Sequence, residues 1–208
     1  YTVYGLGFLA GMEGINNRID ELSMSLVENY KEYNDNNWHW FENSMTYSNS
    51  MLPLSLISAY KILKKEIFLD IAHESMGFLG SIMFKNGYFK PIGCNGWYKK
   101  GQEPAEFDEQ PIEACETLLL YTSYYEIVNE RQYLDNAVKC FNWYMGINSK
   151  RIKLLDKDIG ACYDGLNENG LNYNQGAESL ISYGISLLEI AKKIAWISDN
   201  GHWTEKKL

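Results

Sequence analysis

The chain has 208 residues, 46% hydrophobic and 14% aromatic, enough apolar material for one globular unit with a real core. A formal net charge of −8 excludes a nucleic-acid surface, which needs clustered Lys and Arg, and points to neutral or cationic partners. No signal-peptide apolar region and no apolar run long enough to cross a bilayer is present, so no membrane partner and a cytoplasmic location are expected.

Helical periodicity dominates in chain order. Tyr4–Gly14 is a short apolar start broken by glycine. Asn17–Tyr33 predicts an amphipathic helix, with Ile19, Leu22, Leu26 and Tyr30 at spacings of three and four. A polar aromatic loop, "NDNNWHWFENSMTYSNSM", leads to a helix over Leu52–Leu63, and "KKE" turns the chain into a second over Phe68–Phe84. The plan then recurs. A long loop over Lys85–Glu106 precedes a helix over Gln110–Val128, "NER" makes a tight turn, and Tyr133–Met145 returns. A second long loop, Gly146–Asn172, leads to the last helix, Gly176–Ile197. Helices joined by such short turns lie antiparallel, so the expected class is all-α with about seven helices.

Overlay makes the recurrence explicit. "FLDIAHESMGFL" (68–79) and "YLDNAVKCFNWY" (133–144) lie 65 residues apart and share Leu-Asp-x-Ala and a following aromatic; Tyr60 and Tyr125 also superpose. "EFDEQPIEA" and "NYNQGAES" place Gln110 and Glu113 in register with Gln175 and Glu178. This period is one helical hairpin plus one long loop. All long polar loops then gather at one end, where sites usually form.

Four sequence blocks, "WHWFENSMTYSNSMLPLSLISAY", "GWYKKG", "FDEQPIEA" and "GACYDGLNENGLNYNQGAES", resemble the motif blocks of the six-hairpin glycosidase-like superfamily of α/α toroids. The likeness is nearest to toroid regions found beside glycosyltransferase domains. It implies a partial α/α toroid of antiparallel hairpins with a carbohydrate-sized cleft at one end. The implied partners are a carbohydrate ligand and an attached or associated glycosyltransferase domain. A full toroid has twelve helices, so residues 1–208 are expected to form one such domain or a fragment of one, the C-terminal part of a longer protein.

Glycosidic cleavage needs one carboxyl group to protonate the leaving oxygen and a second to act on water or the anomeric carbon. The carboxylates of the loops and helix starts are Glu42, Asp108, Glu109, Glu113, Asp164 and Glu178, and the catalytic set is expected among Glu113, Glu178, Asp108, Asp164 and Glu42. Glu113 and Glu178 each fall in a first helical turn, where a carboxylate also serves the macrodipole. Asp108, before Pro111, suits a helix cap as well as a substrate contact. Asp164 stands in an Asp-Gly pair typical of turns, and its functional interest comes from the resemblance. Trp38 and Trp40 either stack on a sugar or seal the gap between hairpins. Tyr47 and Asn49 bind hydroxyls or cap the next helix, and Trp97 and Tyr98 can close over a ligand. Gln110, Asn172, Asn174 and Gln175 are placed at the same open end as further substrate contacts.

Other chemistries lack their residues. His39, His73 and His202 are too far apart for a zinc site. "DKDIG" carries its glycine one residue too early for a calcium loop. No phosphate loop, dinucleotide fingerprint or serine elbow occurs, so neither metal nor cofactor is expected. Cys94, Cys115, Cys140 and Cys162 have no C-x-x-C spacing and are expected as reduced, buried thiols.

Overall fold

Two short reversals set the architecture. Lys64 and Asn129 both adopt the left-handed conformation with φ of 55°, and their N–H groups close the preceding helices on the carbonyls of Tyr60 and Tyr125. The next residues, Lys65 and Glu130, are extended and begin the return helices. A chain that reverses in two residues lays its helices antiparallel. The 65-residue period read from side chains is therefore a period of backbone conformation too.

The computed structural model describes residues 1–199; His202 lies outside them. The described helices are α1 (Thr2–Gly7), α2 (Ile15–Tyr33), α3 (Met51–Leu63), α4 (Glu66–Met83), α5 (Pro111–Val128), α6 (Arg131–Tyr144) and α7 (Ala177–Asp199). Helices α1, α3, α5 and α7 pack side by side in that order, while α4 backs α3 and α6 backs α5. The result is an inner row of helices and an outer row. Helix α5 lies between α3 and α7 with α6 behind it, and so is buried nearly all round, from Pro111 to Tyr125. Such a helix shows little amphipathic contrast.

The core is rich in aromatics that keep a polar partner. Trp143 donates its indole N–H to Glu109 at 2.6 Å, and the Tyr144 hydroxyl donates to the Pro111 carbonyl at 2.6 Å. Both side chains are fully buried, which their rings favour and their polar atoms allow only with such bonds. Cys115, Cys140 and Cys162 are buried free thiols, and Cys94 is half-buried and free.

Two features depart from the sequence expectation. The segment Tyr4–Gly14 begins inside a true helix, α1, which is followed by turns in which Gly11 and Gly14 have φ of 91° and 76°. The long loops also carry two antiparallel ribbons: β1 (Ser44–Met45) with β2 (Tyr98–Lys99), and β3 (Gly165–Asn167) with β4 (Gly170–Asn172). Strands of two or three residues are too short for periodicity to register. The β3 segment docks by exchanging backbone hydrogen bonds between Leu166 and Glu109. Only glycine fits at Gly165, because a Cβ there would run into the Glu109 carbonyl oxygen. Among the described residues, no helix is long and apolar enough to cross a membrane.

Candidate functional site

Glu113 is the third residue of α5, and Glu178 is the second of α7. Counting back one more period gives Ser48. The inner helix there starts only at Met51, so the turn equivalent to those bearing Glu113 and Glu178 is unwound, with Ser48 at φ of 55°. The unwinding frees the Ser48 N–H, which donates to Glu113 Oε1 at 2.5 Å.

Glu116 lies one helical turn beyond Glu113 on the same face. Its Oε1 accepts a hydrogen bond from the Tyr1 hydroxyl, and the Ser48 hydroxyl, 3.3 Å from that oxygen and 2.6 Å from the Tyr1 oxygen, donates its one proton to one or the other. Glu178 Oε1 accepts from the Tyr47 hydroxyl at 3.0 Å. The dipeptide Tyr47-Ser48 thus contacts all three carboxylates, drawn from two successive inner helices.

Burial separates their behaviour. Glu113 and Glu116 are 2% and 3% exposed, and the Oε2 atom of each has no hydrogen-bond partner. Desolvation disfavours the charged form of both. It pushes Glu113 up to about 8, assisted by the charge of Glu116 and only partly opposed by hydrogen bonds from Ser48 and Asn49. Burial likewise pushes Glu116 up to about 7, against the pull of its bonds from Tyr1 and Ser48. Two buried carboxyls this close titrate as a pair, which retains a proton at neutral pH. Glu178 is exposed to solvent.

A cavity of about 230 Å³ opens beside the pair, its walls including Tyr1, Glu42, Thr46, Tyr47, Ser48 and Asn49. Glu42 is exposed at this cavity, and its carbonyl accepts the Trp38 indole N–H at 2.7 Å. Asn49 is buried and donates to the Thr46 carbonyl at 3.1 Å. The structure thus brings Glu113, Glu178, Tyr47, Asn49 and Glu42 to one region.

Other expected positions are used differently. Trp38 and Trp40 are 2% and 1% exposed; Trp38 packs edge-on against Phe78 and Tyr98, and Trp40 packs against Phe41 at the wall of the cavity. Tyr98 is half-buried in β2 against Trp38, whereas Trp97 is exposed. Asp108 makes no side-chain bond to a described residue and does not cap α5, whose N-cap is Gln110. Gln110 instead points its amide at Cys94 Sγ, 3.5 Å away. Asp164 Oδ1 accepts the Gly176 N–H at 2.7 Å and the Ser179 hydroxyl, and so closes the start of α7. Asn172 Oδ1 accepts the Asn174 N–H at 3.2 Å, the Asn174 carbonyl accepts from Asp164 N–H, and Gln175 donates to Asp156 at 3.2 Å. Glu109 is a fully buried anchor for Trp143 and Ser149 rather than a group of the cavity.

Sequence reasoning missed Glu116, Ser48 and Tyr1. The first two had a signal: Glu116 is Glu113 plus one helical turn, and Ser48 is Glu113 minus one period. Tyr1 had none, because only the packing of α1 on α3 brings it there.

No protein-family model matches the sequence, and no curated protein matches it. Solved structures do match the fold. A glycoside hydrolase family 76 α-mannanase from Bacteroides thetaiotaomicron superposes with a TM-score of 0.56 at 19% identity, over 74% of this chain and 41% of that one. A family 76 mannosidase from Bacteroides thetaiotaomicron VPI-5482 gives a TM-score of 0.52 at 18% identity, with the same coverage of 74% and 41%. The chain therefore matches less than half the length of these solved structures. By its hairpins, its inner and outer rows and these superpositions, the chain has the fold of a partial α/α toroid.

Proposed function

We propose that the chain is a carbohydrate-active, glycoside hydrolase-like domain that draws its acid and base from Glu113, Glu116 and Glu178. The observation that carries this is the meeting of the three carboxylates through Tyr47-Ser48 at the long-loop end of the inner helices. Cleavage of a glycosidic bond uses one protonated carboxyl and one carboxylate. The buried Glu113–Glu116 pair holds the proton, and the hydroxyls of Ser48 and Tyr1 link Glu116 to the cavity wall. Glu178, held at one oxygen by Tyr47, offers its other oxygen to water or to the sugar. Glu42 lines the same cavity and is the reserve carboxylate.

The solved relatives are a mannanase and a mannosidase, which makes α-linked mannose oligomers the first substrates to assay. Wild type and the Glu113→Gln, Glu116→Gln and Glu178→Gln variants are compared on an oligosaccharide panel. Loss of a general acid or base lowers turnover by roughly 10²–10⁴-fold, and that loss is expected in Glu178→Gln and in at least one of the buried pair. Unchanged turnover in both Glu113→Gln and Glu178→Gln would sink the assignment.

A second reading is a non-catalytic sugar-binding or scaffolding domain serving an attached or associated glycosyltransferase. One observation favours it: Glu113 and Glu116 are almost wholly buried. Glycan binding by wild type without turnover selects this reading.

A further inference from the structure

A second cavity lies where the end of α4 and the loop after it meet the segment that leads into α5. At about 470 Å³ it falls within the roughly 300–1,000 Å³ usual for ligand sites, and it shares no lining residue with the cavity beside Glu113. Ile82, Pro91 and Ile92 give it an apolar wall. Its charged groups are Lys85, Lys90, Glu103 and Glu106.

An aromatic ring at its edge fixes two lysines. The Lys90 ammonium lies 5.1 Å from the centre of the Phe107 ring, and the Lys150 ammonium 4.5 Å from it. The face of such a ring attracts a cation. The Phe107 backbone occupies the place that a Cβ on Gly93 would fill, and its carbonyl accepts the Asn95 N–H at 2.9 Å. Lys90 is held again by its own N–H, which donates to the Met83 carbonyl at 2.8 Å. Lys150 donates to the Glu168 carbonyl at 2.7 Å, a bond that brings no opposing charge.

The lysines converge on one exposed carboxylate. Glu106 meets the Lys90 ammonium at 2.9 Å, yet its side chain is 76% exposed. The bond to Lys90 holds the Glu106 carboxyl below its usual range, and the charges of Lys85 and Lys150 add to the pull. Lys85 is exposed and has no ion-pair partner among the described residues. Three lysines thus gather around one side chain in a chain whose net charge is −8. An exposed ion pair is a weak tie that another anion can replace. With Glu106 turned into solvent, the three lysines are opposed only by Glu103 and by the buried Glu109, which is bonded to Trp143 and Ser149.

We infer that this cavity binds a small organic anion, whose carboxylate or phosphate group replaces Glu106 on Lys90 and Lys85 while its body lies on the apolar wall. Glu106 is then a competitor tethered beside the site it blocks. The inference does not depend on the hydrolase reading.

Calorimetric titration near neutral pH and at low salt tests this with glucose 6-phosphate, glucuronate, inorganic phosphate and glucose. Glucose 6-phosphate or glucuronate is expected to bind, and glucose is not. Glu106→Gln removes the tethered competitor from an exposed position, and should tighten that binding roughly three- to tenfold. Lys90→Met should weaken it roughly tenfold or more. If circular dichroism shows that this variant does not fold, Lys85→Met at the exposed position should weaken it roughly threefold or more.

A preference for glucose 6-phosphate assigns the anionic group as a phosphate, a preference for glucuronate assigns a carboxylate, and both support the inference. It is overturned if neither organic anion binds, if inorganic phosphate alone binds, or if glucose binds as tightly as the anions. Unchanged or weaker binding in Glu106→Gln overturns it too, because Glu106 would then be a plain surface partner of Lys90.

Discussion

Replacing Glu113 by Gln removes an ionisable group from the most buried point of the site while keeping an acceptor for the Ser48 N–H. In the folded chain the carboxyl titrates at about 8 against an ordinary value of 4.5, so between those limits the fold holds a proton that the unfolded chain has lost. A raised carboxyl value stabilises fully below about 4.5, and that stability drains away as pH climbs through about 8. Taken alone, the rise is worth at most about 4–5 kcal/mol. Part of it arises from the charge of Glu116, so we expect about 2–3 kcal/mol for Glu113 itself.

The variant lacks this loss. A chain of this size moves roughly 2–4 °C per kcal/mol, so Glu113→Gln should melt roughly 5–10 °C above wild type at pH 9 and within about 2 °C of it at pH 5. Burial also raises Glu109, but that group titrates in both proteins and drops out of the difference. Thermal unfolding followed by circular dichroism at the two pH values is sufficient. The same offset at both, or a variant that melts lower at pH 9, would refute the claim that Glu113 is protonated in the fold.

Other outcomes follow from single contacts. Asp164→Ala should cost about 1–2 kcal/mol by opening the start of α7, read as a lower Tm, with glycan affinity unchanged; a selective loss of affinity would return Asp164 to the site. Glu109→Ala leaves the buried Trp143 indole and Ser149 hydroxyl without their acceptor, and should lower stability by about 2–4 kcal/mol, read as a lower urea midpoint. Lys64→Gly relieves a left-handed residue at the α3–α4 turn, and should raise stability by up to about 1 kcal/mol in the same urea assay.

The hairpins were legible because their causes are local. Three- and four-residue spacings, the two-residue reversals at Lys64 and Asn129 and the 65-residue recurrence are all properties of short segments, and the backbone repeats them. The same recurrence marked Glu113 and Glu178 as equivalent positions at the starts of inner helices. It could not tell a buried carboxyl from an exposed one, since burial depends on which neighbours cover the helix end. Packing of α1 on α3 brings Tyr1 over Glu116, and an unwound turn brings Ser48 onto Glu113.

The aromatic loop shows the same limit. "WHWFEN" reads alike whether its indoles face a sugar or the core, and only the closing of β1 on β2, which pairs Met45 with Tyr98, puts the Tyr98 ring against Trp38. Asp164 is tied to Gly176 and Ser179 by a contact across 12–15 residues of loop, which no local pattern encodes. The sequence by itself determined helices, turns and repeat, because each is settled within a turn or a hairpin of the chain. The tertiary structure alone decided which carboxyls are buried together, because burial and charge coupling belong to segments that meet only after folding.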